Sequence, residues 1–112
     1  MIGLEDVKQA RERIGGKVLK TPLLRVPVLD QALGCQVYLK PENLQLTGSF
    51  KIRGAMNAIL SLTEEEKKKG VVACSSGNHA QGVACAAKMC GIDAAIVMPT
   101  NCNPVKLSGV KS

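Results

Sequence analysis

The chain has 112 residues, 46% of them hydrophobic, which suits one small domain with a real core and excludes a disordered polypeptide. Aromatic residues make up only 2%, with one Tyr, one Phe and no Trp, so a nucleic-acid surface would lack stacking groups. The net charge of +6 is dispersed, and Glu64-Glu65-Glu66 standing directly before Lys67-Lys68-Lys69 reads as a solvated helix with i,i+3 and i,i+4 ion pairs rather than a DNA-binding patch, although a small anionic ligand stays compatible with the balance.

In chain order, Leu4, Val7, Ala10, Arg11 and Ile14 fall at helical spacing and predict a surface helix laid on something apolar, ended by Gly15-Gly16. Residues 20–24 are expected to be extended, because a residue before proline is pushed out of the helical region and Thr21 precedes Pro22. A short helix over 28–33 stops at Gly34, and residues 36–40 alternate at period two until Pro41, which predicts a strand. Residues 42–48 read as a loop, with Thr47 or Ser49 able to cap the helix that follows. That helix carries Ile52, Ala55, Met56 and Ile59 on its core stripe, while Lys51 shares a face with Gly54, Ala55 and Ala58, small neighbours that leave room for a planar ring. Thr63 to Glu66 form a capping box opening another short helix, ended by Gly70.

Residues 71–75 and 94–98 predict two short buried strands, joined by an alanine-rich helix over 78–90 that Gly91 stops. This is a βαβ unit, so the strands should be parallel with a right-handed crossover, and ligands on such sheets bind beyond the strands' carboxyl ends, where residues 75–79 lie. Asn103 with Pro104 starts a last helix. Two parallel strands and one earlier strand make a poor sheet, and parallel sheets need both faces covered. The expectation is an incomplete α/β unit cut before its next strand. The five cysteines form an odd set with no CxxC pair, and three sit in apolar or alanine-rich surroundings, which favours small hydrophobes over a zinc site or disulfide framework. With no signal peptide before the first helix and no run near the ~20 apolar residues of a membrane span, the expected location is cytoplasmic.

Two stretches carry chemistry. Lys51 on the first turn of a helix is oddly placed, since the macrodipole there disfavours a cation, and Arg53 adds a second charge. With partial burial these effects would lower the amine's pKa toward a neutral nucleophile able to form a Schiff base; the bland reading is an ordinary surface lysine. Ser75-Ser76-Gly77-Asn78 after a strand offers backbone N–H groups, hydroxyls and a helix dipole, a site for a carboxylate or phosphate, and Ser76 could exchange a proton with a substrate carbon. Equally, Ser76 or Asn78 could simply cap the helix. His79, the only histidine, has no second histidine or carboxylate cluster beside it and reads as structural.

Lys40-Pro41-Glu42-Asn43-Leu44-Gln45-Leu46-Thr47-Gly48-Ser49-Phe50-Lys51-Ile52-Arg53-Gly54-Ala55 resembles the pyridoxal-phosphate lysine segment of threonine and serine dehydratases and serine racemases. Ser75-Ser76-Gly77-Asn78-His79-Ala80-Gln81-Gly82 resembles the same family's substrate-carboxylate loop. The resemblance covers nearly the whole chain. It implies an α/β fold of three layers, an open parallel sheet with helices on both faces (tryptophan-synthase-β-like, fold type II), incomplete in this chain. Residues 1–62 would belong to the amino-terminal part of the large cofactor domain and 63–112 to the start of the small mobile domain. Lys51 would be the Schiff-base lysine and the base for the substrate α-proton, Phe50 would pack on the cofactor ring, and Asn78 would bond its phenolic oxygen. Ser75, Ser76, Gly77, Asn78 and His79 would line the substrate-carboxylate site, with Ser76 the proton carrier on the opposite ring face in racemase members.

The implied reaction is β-elimination of water from L-threonine or L-serine, giving 2-oxobutanoate or pyruvate and ammonia. The resemblance also implies pyridoxal 5'-phosphate as cofactor, no metal, isoleucine biosynthesis as one setting and a homo-oligomer for the full-length family. The family's glycine-rich phosphate loop and the group facing the pyridine nitrogen do not occur in these residues. Alternatives are a serine racemase, a β-replacing enzyme of the cysteine-synthase type, which the residues after Lys51 and in the 75–79 loop disfavour, and a non-catalytic fragment needing a partner chain. Exposed apolar surface on the βαβ unit would mark the last of these.

Overall fold

The computed structural model describes residues 1–112. In chain order the elements are α1 (Leu4–Ile14), β1 (Leu24–Arg25), α2 (Pro27–Leu33), β2 (Tyr38–Leu39), a 3-10 turn (Glu42–Leu44), α3 (Lys51–Leu60), α4 (Glu64–Lys69), β3 (Val71–Cys74), α5 (Asn78–Cys90), β4 (Ala94–Val97) and α6 (Pro104–Lys111). β3 and β4 pair in parallel, Val71 opposite Ala94 and Cys74 opposite Val97, and α5 is the crossover between them.

Local chemistry explains most boundaries. Gly34 and Gly91 end α2 and α5 in the left-handed conformation that a Cβ disfavours. α4 opens on a capping box: the Thr63 hydroxyl accepts from the Glu66 N–H at 3.3 Å, and the Glu66 carboxylate accepts from the Thr63 N–H at 2.8 Å. The Thr63 N–H first, and second the Thr63 hydroxyl, which donates to the same Glu66 oxygen at 2.9 Å, hold the Glu66 carboxyl below the usual range. Thr63→Ala should cost about 1 kcal/mol, read as a lower urea midpoint with unchanged slope; an unshifted midpoint would show that α4 stands without its cap.

The core is the contact of α3 with α5. Ile52, Ala55, Met56 and Ile59 are the buried residues of α3, the stripe expected from their spacing, and they meet Val83, Ala86 and Ala87 of α5 together with Ile14 of α1. Residues on both sides of position 62 thus share one core. Ile52 and Met56 are 0% exposed, each contributing about 1.5–3 kcal/mol through burial. Cys85 and Cys90 pack against this cluster, and burial pushes the Cys85 thiol up, against a smaller opposing pull from Lys88. Both behave as small hydrophobes.

Three expectations need correction. The strand over 36–40 shrinks to Tyr38–Leu39 and does not join the parallel pair; it lies antiparallel to Leu24–Arg25, with Leu24 opposite Leu39. The reason lies in the turn around α2, where the Asp30 carboxylate accepts from the Val37 N–H at 2.5 Å and from Arg25 Nε at 2.8 Å and so folds the chain back on itself. The parallel strands are not buried either. Val72 is 77% and Val97 56% exposed, because α5 covers one face and nothing in residues 1–112 covers the other. In α1 only Ile14 of the apolar stripe is buried, while Leu4 and Val7 stay exposed, since α1 meets α3 only at its carboxyl end, where Arg13 Nη1 also donates to Asn57 Oδ1 at 2.6 Å.

Candidate cofactor and substrate site

The chain approaches α3 through a turn at Gly48, whose φ of +65° suits glycine. Neither Thr47 nor Ser49 caps the helix. The residue before α3 is Phe50, with φ −66° and ψ −12°, and no side chain bonds the first-turn N–H groups. A capping residue normally takes extended dihedrals to swing its oxygen over the helix end, and the helical Phe50 removes that option. The Thr47 and Ser49 hydroxyl oxygens are instead buried with no hydrogen-bond partner, Ser49 being only 7% exposed. An orphaned buried hydroxyl carries a desolvation cost of about 1–3 kcal/mol, so two together mark a place where a polar group is wanted.

Lys51 is the first residue of α3 and is exposed. Its Nζ lies 4.9 Å from the centroid of the Phe50 ring and meets no carboxylate. The second positive charge expected beside it is matched elsewhere. Arg53 Nε donates to Glu42 Oε2 and Nη2 to Glu42 Oε1, both at 2.7 Å, and Nη2 also reaches the Leu19 carbonyl at 3.1 Å. The Thr21 hydroxyl donates to the same carboxylate at 2.5 Å, and Lys40 Nζ donates to the Thr21 carbonyl at 2.7 Å. The Gln45 side chain, 4% exposed, pairs with both backbone groups of Leu19 at 2.9 Å. The whole network pins residues 19–21 and 40–45 to the first turn of α3.

At the end of β3 the Ser75 N–H donates to the Val97 carbonyl at 3.1 Å, and its hydroxyl accepts from the Gly77 N–H at 3.3 Å. Gly77 precedes α5 without any side-chain cap, so neither Ser76 nor Asn78 caps this helix. The Ser75 hydroxyl is engaged by Gly77, and the Asn78 oxygen is taken by Lys106 Nζ. The N–H groups of Asn78 and His79 and the Ser76 hydroxyl stay uncommitted, at the positive end of a thirteen-residue helix. Ser76, Asn78 and His79 are exposed. His79 also lines a cleft of about 250 Å³ whose other walls include Gly54, Ala55 and Ala58 of α3 and Val72 of β3; Lys51 itself does not line it.

Gly82 brings these two starts together. A Cβ there would lie 3.1 Å from the Lys51 carbonyl carbon, 3.2 Å from the Ile52 nitrogen and 3.3 Å from Lys51 Cβ. One helical turn after the 75–79 loop, α5 therefore rests on the backbone of Lys51 itself. No group of three or more His, Cys, Asp or Glu side chains gathers to hold a metal, and no helix is long and apolar enough to cross a membrane.

Residues 14–112 match the family described as pyridoxal-phosphate dependent enzyme. The chain belongs to this family. It is 59% identical over 99 residues to the L-threonine ammonia-lyase of Thermotoga maritima, covering 88% of this chain and 25% of that protein. It is 49% identical over 98 residues to the L-threonine dehydratase catabolic TdcB of Escherichia coli K12, covering 88% and 30%. The serine racemase structure from Dictyostelium discoideum superposes with a TM-score of 0.93 at 45% identity, covering 98% of this chain and 36% of that one. The T.th. threonine deaminase structure superposes with a TM-score of 0.85 at 45% identity, covering 98% and 34%. The chain thus spans about a quarter to a third of these relatives' length, and the fold is the α/β fold of pyridoxal-phosphate enzymes of this type, seen in part.

The family's cofactor is pyridoxal phosphate, and the residues present fit it. Lys51 offers an amine that no carboxylate ties down, and Gly54 offers a face where a Cβ would meet nothing within 4 Å. The orphaned Thr47 and Ser49 hydroxyls and the open end of α5 supply polar partners. Three features of this arrangement are not evident from the sequence: the seating of Gly82 on Lys51, the Glu42–Arg53 pair and the Lys106–Asn78 bond. A glycine inside an alanine-rich helix is the one available signal, since such a glycine usually marks a close approach.

Proposed function

We propose that these residues supply the lysine and carboxylate-binding portions of a pyridoxal-phosphate-dependent ammonia-lyase that acts on L-threonine and L-serine. The observation that carries the reading is the seating of Gly82 on the Lys51 backbone, which packs the start of α3, with its unpaired amine, against the first turns of a helix whose start is uncapped. When bound, the cofactor supplies the electron sink for breaking the substrate's Cα–H bond. Lys51 would hold the cofactor through its aldehyde carbon and, once the substrate's amine had displaced its own, its free amine would take the α-proton. The Asn78 and His79 N–H groups and the Ser75 and Ser76 hydroxyls hold the substrate carboxylate, with Gly77 allowing its close approach, and fix the α-carbon over Lys51. Asn78 would give its amide NH2 to the cofactor's phenolic oxygen, and Phe50 would pack against the ring. Loss of the α-proton and the β-hydroxyl releases water. The unsaturated amine set free tautomerises and is hydrolysed to 2-oxobutanoate, or pyruvate from serine, and ammonia. The names of the T. maritima and E. coli relatives favour threonine over serine, and the second favours a catabolic over an isoleucine-biosynthetic setting.

A second reading is serine racemization, favoured by the likeness to the Dictyostelium serine racemase and by the exposed, uncommitted Ser76 hydroxyl, which would return a proton from the opposite face. Product analysis separates the two: keto acid marks the first and D-serine the second.

The decisive experiment is borohydride reduction of the chain with pyridoxal phosphate, followed by peptide mass mapping. Stoichiometric attachment at Lys51, lost in Lys51→Ala and kept in Lys20→Ala, is the expected result. Attachment scattered over surface lysines would defeat the reading for these residues and would fit a fragment that needs further polypeptide, in line with the exposure of Val72 and Val97.

A further inference from the structure

Lys106 has no role in the chemistry above, yet its ammonium bonds one of the residues assigned to it, Asn78. It is half-buried on the first turn of α6 and takes part in no ion pair. Its Nζ donates to Asn78 Oδ1 and, at 3.4 Å, to Gln81 Oε1. Packing fixes this placement. At Gly109 a Cβ would meet Gln81 Nε2 at 2.1 Å, so α6 lies tight on the Gln81 side chain, and Lys88 Nζ ties the Ser112 carbonyl at 2.5 Å at the far end of α6. Asn103 Oδ1 accepts from the Val105 N–H at 2.9 Å and sets where α6 begins.

An ammonium has donors only, so it selects the oxygen end of a carboxamide and turns the NH2 end away. We infer that Lys106 is a positioning residue that locks the Asn78 amide with its NH2 group outward, so that the site accepts an oxyanion such as the cofactor's phenolate and rejects a hydrogen-bond donor there. The inference rests on the role given to Asn78 above. The Asn78 NH2 has no partner within the chain, as it should if its partner arrives with a ligand. The same ammonium stands at the open end of α5, where the helix dipole opposes a cation, and an arriving anion relieves that opposition.

The test begins on the ligand-free chain, by NMR of the Asn78 side-chain NH2 pair, assigned by its loss in Asn78→Ala. Lys106→Met should shift that pair beyond its linewidth, and Lys106→Arg, which keeps the donors, should restore it. Lys88→Met cuts the other tie of α6 and should leave the pair in place, which separates orientation from loosening of the helix. An unmoved pair in Lys106→Met, or an equal shift in Lys88→Met, would overturn the inference. With pyridoxal phosphate added, Lys106→Met should bind it about tenfold more weakly, the equivalent of one charge-assisted hydrogen bond. Failure of the unmodified chain to bind pyridoxal phosphate, with the NMR result intact, would remove the functional reading and leave the Lys106–Asn78 orientation established.

Discussion

Gly82→Val is expected to lower stability by about 2–3 kcal/mol and to abolish stoichiometric attachment of pyridoxal phosphate at Lys51 in the same step. The first atom added at Gly82 already falls 3.1–3.3 Å from Lys51 and Ile52, and two of its three neighbours are backbone atoms that cannot rotate aside. Either α5 lifts from α3, opening the contact that holds Ile52 and Met56 at 0% exposure, or the first turn of α3 moves and carries Lys51 with it. Gly82→Ala is a finer probe. Alanine gains about 1 kcal/mol of helix propensity over glycine, so the clash and the gain should nearly cancel. Gly54→Ala supplies the opposite sign: a Cβ there meets nothing within 4 Å, so it should stabilise the chain by roughly 0.5–1 kcal/mol while filling space on the cleft wall and weakening pyridoxal phosphate binding. Urea midpoints on the three variants check the series. A Gly82→Val chain with an unmodified midpoint would show that the two helices are not seated as described.

The contrast between Gly82 and Gly54 shows what a sequence exposes and what it hides. Both are glycines inside helices, and beyond the alanine-rich setting of Gly82 little local separates them; the distinction is set by a neighbour 31 positions away for one and by empty space for the other. Features with local causes were legible. The Ile52, Ala55, Met56 and Ile59 stripe follows from the helical period, the Thr63 to Glu66 box from side-chain reach, and the ends at Gly34 and Gly91 from the left-handed turn. Capping at α3 and α5 misled in an instructive way. Thr47, Ser49, Ser76 and Asn78 are all good capping types, and none caps: the helical Phe50 takes the position before α3, Gly77 takes the position before α5, and Lys106 occupies the Asn78 oxygen. Residue types suited to holding a helix end are also those suited to holding a ligand, and only geometry decides which they do. Strand burial was illegible for another reason. Val72 and Val97 have the composition of buried strands, but burial depends on what covers the sheet, which no pattern within the strand records.

Glu42→Gln is expected to cost about 2 kcal/mol at neutral pH and to flatten the acid side of the stability profile. The Glu42 side chain is 16% exposed and carries two 2.7 Å bonds from Arg53, whose own side chain is 30% exposed. Those bonds come first in pulling the Glu42 carboxyl from an ordinary 4.5 to about 2, burial opposing them and the Thr21 hydroxyl adding to them, while the same pair raises Arg53. A folded-state value below the unfolded one means that between about pH 4.5 and 2 the unfolded chain binds more protons. The contribution is therefore complete above pH 4.5 and is lost as the pH falls toward 2. Undiscounted, a shift of that size would correspond to about 3 kcal/mol; the exposure of Arg53 and solvent screening reduce it to about 2. A glutamine cannot satisfy the guanidinium in the same way: one of its two ends is a donor, so one Arg53 N–H would face an N–H where it now faces an oxygen. Urea titrations of both chains at pH 7 and pH 2.5 should therefore differ fully at the first and by only about a quarter as much at the second. Parallel profiles across that range would show that the pair contributes nothing through charge. The consequence reaches the site, because Arg53 stands two residues from Lys51 on the same helical turn: loosening residues 19–21 and 40–45 frees the start of α3, and the yield of attachment at Lys51 should fall with the stability, even though Glu42 bonds Arg53 and Thr21 and not Lys51.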